Sequence, residues 1–375
     1  MQRLKAIQAL RAIAASLVFL CHLVPIEQRL SARAEPLTDF WLAGAFGVDL
    51  FFVISGFVIV WVAADSPPGG KSPVGFLFAR VTRIYPTWWL MCGLMMLGFF
   101  MLHGVPWNPV RVLEQDLNGP SHVIHSLLLW PQDYHPVLGP GWTLVHELYF
   151  YLGFGLLVAT LPPRLRLHGV FVWGALVAIG ALLGLSSDFG RTAIEVVFYP
   201  MTLQFVFGAL VAYAIQAGWR RYAWPLAIIG GVLFLLAFLL SPAIFNLQPV
   251  VPLQWSRTFL FGLPAALFIY GLVALELRGA IGQHIPKPLV ILGDWSYSLY
   301  LCHFLTITAA GRLTLWLMGG PSDLSTVVFF VNGVIATLIV SGFTYYGFER
   351  PVNAYFRARR PGRHRAPKPA IGAVR

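Results

Sequence analysis

Along this chain apolar residues run in stretches of about 20, the length that crosses a hydrocarbon core of roughly 30 Å. The runs predict ten membrane-spanning helices, near residues 6–25, 41–64, 84–102, 141–160, 169–185, 195–216, 222–240, 258–275, 289–311 and 324–348. Most connections between them are short, which suits a compact bundle. The fold class expected is an all-α integral membrane protein, a bundle of about ten transmembrane helices within residues 1–350, with a basic, disordered cytoplasmic tail at 351–375. One connection stands apart. Residues 103–140 carry Trp107, His122, His125, Trp130, His135 and several prolines, too aromatic a mixture for disorder. They are read as a lid or partly re-entrant segment over a cavity.

Composition strengthens the membrane assignment: 58% of the 375 residues are hydrophobic and 11% are charged, against about a quarter charged in soluble domains. The start resembles a signal peptide, but Arg11 and His22 interrupt its apolar run, which is long enough to span. Cys21, Cys92 and Cys302 all fall inside spans and predict no disulfide framework.

Net charge is +11, and its distribution orients the bundle. With the N-terminus inside, only Arg29, Arg33, Arg111, Arg191, Arg257 and Arg312 of the 26 basic residues lie outside, as the excess of Lys and Arg in cytoplasmic loops requires. Both termini are then cytoplasmic. The basic tail, with Arg357, Arg359, Arg360, Arg363, Arg365 and Lys368, suits anionic lipid headgroups. No nucleic-acid module accompanies it, so no nucleic-acid partner is expected.

An ionisable side chain within a span costs roughly 2.5 to 3.5 kcal/mol on insertion scales and normally faces the bundle interior, where it marks function. Here these are Arg11 and His22, Asp49, His146 and Glu147, Asp294 and His303, and Glu349. Arg11 and His22, eleven residues apart, project from one helix face about 16 Å apart along the axis. His22, Asp49, Glu147 and His303 all fall in the outer half of the bundle and are expected to converge on one layer. A histidine oriented by a carboxylate is the arrangement for general-base catalysis on a hydroxyl. Ser296, Tyr300 and His303 at i, i+4 and i+7 form one polar stripe, as do Thr143, Glu147 and Tyr151, while His146 points elsewhere and is read as structural. Arg80 and Arg83, at i and i+3, gather with Arg11 near the cytoplasmic surface as a phosphate site or as ordinary positive-inside anchors. His146-Glu147 lacks the second histidine of a zinc helix, and no metal site is expected.

These residues sit in six ordered motifs: Gln8-Ala-Leu-Arg11-Ala with His22, Gly47-Val-Asp-Leu-Phe-Phe-Val-Ile-Ser-Gly-Phe57, Arg80-Val-Thr-Arg83-Ile-Tyr-Pro86, Gly141-Trp-Thr-Leu-Val-His-Glu147-Leu-Tyr-Phe-Tyr151, Ser296-Tyr-Ser-Leu-Tyr-Leu-Cys-His303 and Glu349-Arg-Pro351. Together they resemble the bacterial membrane-bound acyltransferase 3 family, particularly its exopolysaccharide O-acetyltransferase branch. The resemblance implies a protein of the bacterial inner membrane that moves an acyl group, usually acetyl from acetyl-coenzyme A, to a hydroxyl of a carbohydrate acceptor. It implies acyl-coenzyme A as co-substrate with no tightly bound cofactor. The acceptor would be an exopolysaccharide unit or lipid-linked sugar, with polysaccharide-synthesis machinery as a possible partner. Arg11 and His22 match the family's essential arginine and histidine, Glu147 its acidic residue, and Arg80 and Arg83 its paired arginines. The expected mechanism has His22 as base assisted by Glu147, with Arg11 also catalytic. Coenzyme A would lie at Arg80, Arg83 and Arg11, with Asp49, Ser296, Tyr300 and His303 binding substrate or oxyanion. The alternatives are a proton-coupled transporter of a saccharide or small metabolite, a structural subunit for polysaccharide export, and an acyltransferase for a macrolide-like secondary metabolite.

Overall fold

A computed structural model describes residues 3–31, 39–64, 73–109, 118–187, 190–241 and 253–361. The helices are α1 (Lys5–Leu30), α2 (Gly47–Ala64) after a 3-10 segment (Asp39–Phe46), α3 (Pro73–His103), α4 (Gly119–Leu128), α5 (Trp142–Thr160) and α6 (Pro163–Leu182). They continue with α7 (Ala193–Val197), α8 (Thr202–Gln216), α9 (Ala223–Leu239), α10 (Leu253–Arg257), α11 (Leu263–Leu277), α12 (Lys287–Met318), α13 (Asp323–Thr344) and α14 (Arg350–Ala358). Among the described residues nine helical stretches are long and apolar enough to cross a bilayer, and Ala223–Leu239 is a shorter apolar helix. Each of the ten expected spans therefore coincides with an apolar helix. π-helical turns, Thr258–Gly262 and Tyr345–Glu349, lead into α11 and α14.

The principal pairings are α1 with α12, α2 with α8, α9 with α11 and α12 with α13. Without a hydrophobic drive between helices in lipid, small residues allow close backbone approach. A Cβ on Gly293 of α12 would lie 2.0 Å from the Gln8 carbonyl oxygen of α1, so this glycine brings the two site-bearing helices together. No side chain of its own caps the start of α1. Instead Glu276 of α11 accepts from the Lys5 and Ala6 amides, both at 2.7 Å, satisfying donors that a helix start leaves open.

One end of the molecule gathers basic groups. Arg3 pairs with Asp294, Lys5 Nζ donates to the Gly282 carbonyl, Arg220 donates to the Leu277 carbonyl, and Arg360 donates to the Gly75 carbonyl. The 103–140 segment begins at the other end of α3 and returns into the bundle. Trp88, Trp89 and Tyr85 of α3 donate to the Ser126, Leu127 and Leu128 carbonyls at the close of α4. These carbonyls lie in the last turn, where a helix leaves acceptors open, the Ser126 carbonyl also accepting from the Leu129 amide at 3.2 Å, and Trp88 lies about 22 Å along α3 from His103. A partly re-entrant course is thus what the segment takes; residues 110–117 lie outside the described residues.

Two boundaries differ from expectation. The third span, expected from 84, is helical from Pro73, because Arg80 and Arg83 break the apolar run without breaking the helix. The tail, expected disordered from 351, begins as α14: Phe356 packs edge-on to Phe78, 6.0 Å between ring centroids, and gives the helix an apolar anchor. Residues 362–375, with Arg363, Arg365 and Lys368, lie outside the described residues, as do Arg33, Lys71 and Arg111.

Candidate active site

The i, i+3 spacing of Arg80 and Arg83 turns both toward a cleft of about 560 Å³ at the basic end, where Arg11, Arg350, Arg357 and Arg360 join them. Arg80 is buried, its guanidinium 5.6 Å from the Tyr151 ring centroid and 5.8 Å from that of Phe76. The two carboxylates on the cleft wall are engaged: Asp294 pairs with Arg3, and Glu349 accepts from Ser298 at 2.5 Å.

Arg11, Val58 and Arg83 also line a second, smaller cavity of about 70 Å³ deeper in the bundle, with Ser55, Glu147, Tyr151 and Ser296. The cleft and the cavity therefore adjoin at two arginines. Tyr297 fixes this junction by donating to the Ile84 carbonyl at 2.8 Å, beside Arg83. Glu147 accepts from Ser55 at 3.1 Å and from Tyr151, within electrostatic reach of Arg11 and Arg83. Tyr300 donates to the Pro140 carbonyl at 2.9 Å and lies 2.6 Å from the Thr143 hydroxyl. A phenol has one proton, so Tyr300 is not free to serve an oxyanion. The Ser296 hydroxyl is buried without a hydrogen-bond partner on the cavity wall.

His22 lies against His303, ring centroids 4.9 Å apart. Each is held by its own helix, His22 Nδ1 to the Val18 carbonyl at 2.8 Å and His303 Nδ1 to the Leu299 carbonyl at 3.1 Å. Facing a carbonyl, Nδ1 must carry the proton, which leaves each Nε2 as the basic nitrogen. Among the described residues His303 Nε2 has no hydrogen-bond partner. Glu147 does not hold His22, and the expected carboxylate–imidazole pair is replaced by two imidazoles.

The expected single layer also divides. Asp49, fully buried, pairs with Arg257 at 2.7 Å and accepts from Gln204 at 2.6 Å, so it is bound within the protein and is absent from the cavity wall. Equal depth did not bring the four groups together because their helices present them toward different neighbours. His146 is buried and stacks on Tyr199 at 4.4 Å, a packed position.

A third cleft, about 300 Å³, is walled by Trp130, Tyr134, His135 and Trp142, with Asp133 and Arg191. His135 is within electrostatic range of His22. In the same segment His122 Nε2 donates to the His135 carbonyl at 3.0 Å, and Trp107 donates to His122 Nδ1 at 3.4 Å. Burial holds both His122 and His135 below their ordinary value. Among the described residues no group of three His, Cys, Asp or Glu side chains is placed to hold a metal ion.

Comparison with known proteins decides the family. A profile described as an acyltransferase domain matches residues 4–346. The chain belongs to the acyltransferase 3 family. It is 32% identical over 339 residues to the exopolysaccharide production protein ExoZ of Rhizobium meliloti, covering 87% of this chain and 95% of that one. It is 28% identical over 395 residues to the acyltransferase MdmB of Streptomyces mycarofaciens, covering 96% and 94%. No solved structure matches.

For this acyltransferase 3 protein, the sequence residues Arg11, Arg83, Glu147, Ser296 and Tyr300 share one cavity, and His22 and His303 form a pair. Sequence reasoning missed Ser55, which bonds Glu147, and Arg257, which binds Asp49. Ser55 gave a signal, lying within the same motif as Asp49. Arg257 gave none, because it was counted as a loop cation. Arg357 and Arg360, which the sequence offers as a lipid anchor, line the cleft beside Arg350.

Proposed function

We propose that this acyltransferase takes an acyl group, acetyl in the first instance, from acyl-coenzyme A at the basic end and places it on a hydroxyl of a carbohydrate. Exopolysaccharide is the favoured acceptor class, in keeping with the relative named for exopolysaccharide production. The observation that carries the reading is the junction of the arginine cleft with the inner cavity at Arg11 and Arg83. Coenzyme A phosphates suit the guanidinium groups, and the slender pantetheine arm suits the narrow cavity. The aromatic cleft at Trp130, Tyr134 and Trp142 suits a sugar, whose apolar faces stack on rings while its hydroxyls meet Asp133, His135 and Arg191.

In the proposed reaction His22 Nε2 takes the acceptor hydroxyl proton as the oxygen attacks the thioester carbonyl carbon. The tetrahedral intermediate collapses, the carbon–sulfur bond breaks, and the thiolate recovers the proton from His22. The products are the ester and coenzyme A. His303, edge-on to His22 with ring centroids 4.9 Å apart, is the group beside the imidazolium, the place expected of Glu147. Glu147 and Tyr151 instead offset the arginine charge along the donor route. Ser296, about 10 Å along α12 from His303, is placed to bond the donor arm.

The test presents radiolabelled acetyl-coenzyme A to inside-out and right-side-out vesicles with a glycan extract. The proposal predicts labelled ester only when the basic, cytoplasmic end faces the donor. Label or sugar that crosses the membrane with no ester formed, from either orientation, favours the transporter and overturns it.

A further inference from the structure

We infer that α14 reads the 3′-phosphate on the nucleotide end of the coenzyme A donor, an inference that rests on the basic cleft being the donor site. Arg350, Asn353 and Arg357 fall at i, i+3 and i+7, so one stripe of α14 faces the cleft. The helix is held against α3 by Phe356 on Phe78 and by the Arg360 bond to the Gly75 carbonyl at 2.8 Å. The same stretch of α3 carries Arg80 and Arg83 one to two turns further on. The position of the α14 arginines is therefore fixed relative to the deep pair.

Depth orders the two sets. Arg80 is 7% exposed, whereas Arg350 and Arg357 are exposed at the mouth. A donor that threads its thioester inward presents the diphosphate to Arg11, Arg80 and Arg83. Its 3′-phosphate, on the ribose just beyond the diphosphate, is left at α14. A phosphomonoester carries about −1.5 to −2 charges at pH 7 and pairs bidentately with arginine. Six arginines line the cleft against two carboxylates, Asp294 paired with Arg3 and Glu349 facing the charges of Arg11 and Arg83, so the field stays positive. A lipid phosphate offers the same chemistry, and the test separates the two sources.

The purified protein in nanodiscs is titrated with coenzyme A and with 3′-dephospho-coenzyme A, in anionic and in zwitterionic lipid. The wild type is expected to bind coenzyme A about tenfold or more tightly than the dephospho form. Arg350→Ala/Arg357→Ala is expected to bind the two alike, with dephospho-coenzyme A affinity unchanged, and Arg350→Lys/Arg357→Lys to keep part of the preference. No preference in the wild type, or a preference that survives the alanine substitutions, overturns the inference. So does a loss confined to anionic lipid, which would make α14 a headgroup anchor. Because binding is the readout, a 3′-phosphate preference with no acyl transfer would sink the acyltransferase reaction and leave this assignment standing.

Discussion

At His22 the ring is tethered to the Val18 carbonyl, so its basic nitrogen is Nε2 and its neighbour is His303. His303→Ala is expected to lower kcat for acyl transfer by 10- to 100-fold with little change in the donor KM. Glu147→Gln is expected to raise the donor KM instead, since Glu147 sits among Arg11, Arg83 and Tyr151. A Glu147→Gln variant that loses kcat alone would return the carboxylate to His22. At Asp49 the outcome is stability. Asp49→Asn leaves Arg257 buried without its counter-ion and is expected to cost about 3–5 kcal/mol, read from chemical or thermal unfolding, while Asp49→Leu/Arg257→Met recovers most of it. Failure of the double substitution to recover would mean that the pair does more than satisfy itself. The residue types were legible in the sequence because ionisable groups are rare in spans. Their partners were not, since helical periodicity gives depth along one helix but not which neighbour its face meets.

Among the elements, the spans were plain from apolar run length, and the helix boundaries were not. Arg80 and Arg83 hid the first turns of α3, and the prolines and arginines after 351 hid α14. The segment around α4 was legible as an ordered lid or partly re-entrant piece from its aromatic content, whereas its attachment through Trp88, Trp89 and Tyr85 required the fold. Its stability should depend on pH. His122 is held neutral by burial and accepts from Trp107, so its folded affinity for protons is below the ordinary value near 6.5. Between those two points the unfolded segment binds more protons than the folded one, and stability rises with pH. Amide exchange within α4 is therefore expected to slow as pH rises toward about 6.5 and, after correction for intrinsic exchange, to level off above it. His122→Gln should reduce the slope of this profile, leaving the part that His135, also held down by burial, contributes. A corrected profile already flat in the wild type would contradict the buried, neutral imidazole.

Over the whole molecule, the arginine cleft and the inner cavity run from the basic end, past Arg11 and Arg83, to Tyr300, whose ring lies 5.9 Å from that of His303, itself against His22. The aromatic cleft, with His135 in its wall, shares no lining residue with either. In the proposed reaction a charged donor and a hydroxylated acceptor would meet at His22 without either crossing the bilayer. The family was legible in six ordered motifs, but the route was not, because α1, α3, α5, α12 and α14 each contribute one part of it. The central claim is that His22 is the base at the meeting point. It is tested most directly by acetyl transfer from radiolabelled acetyl-coenzyme A to a glycan extract in inside-out vesicles, comparing the wild type with His22→Ala at matched expression. The account predicts ester formation in the wild type and a loss of about 100-fold or more in the variant. Equal transfer by both would contradict it.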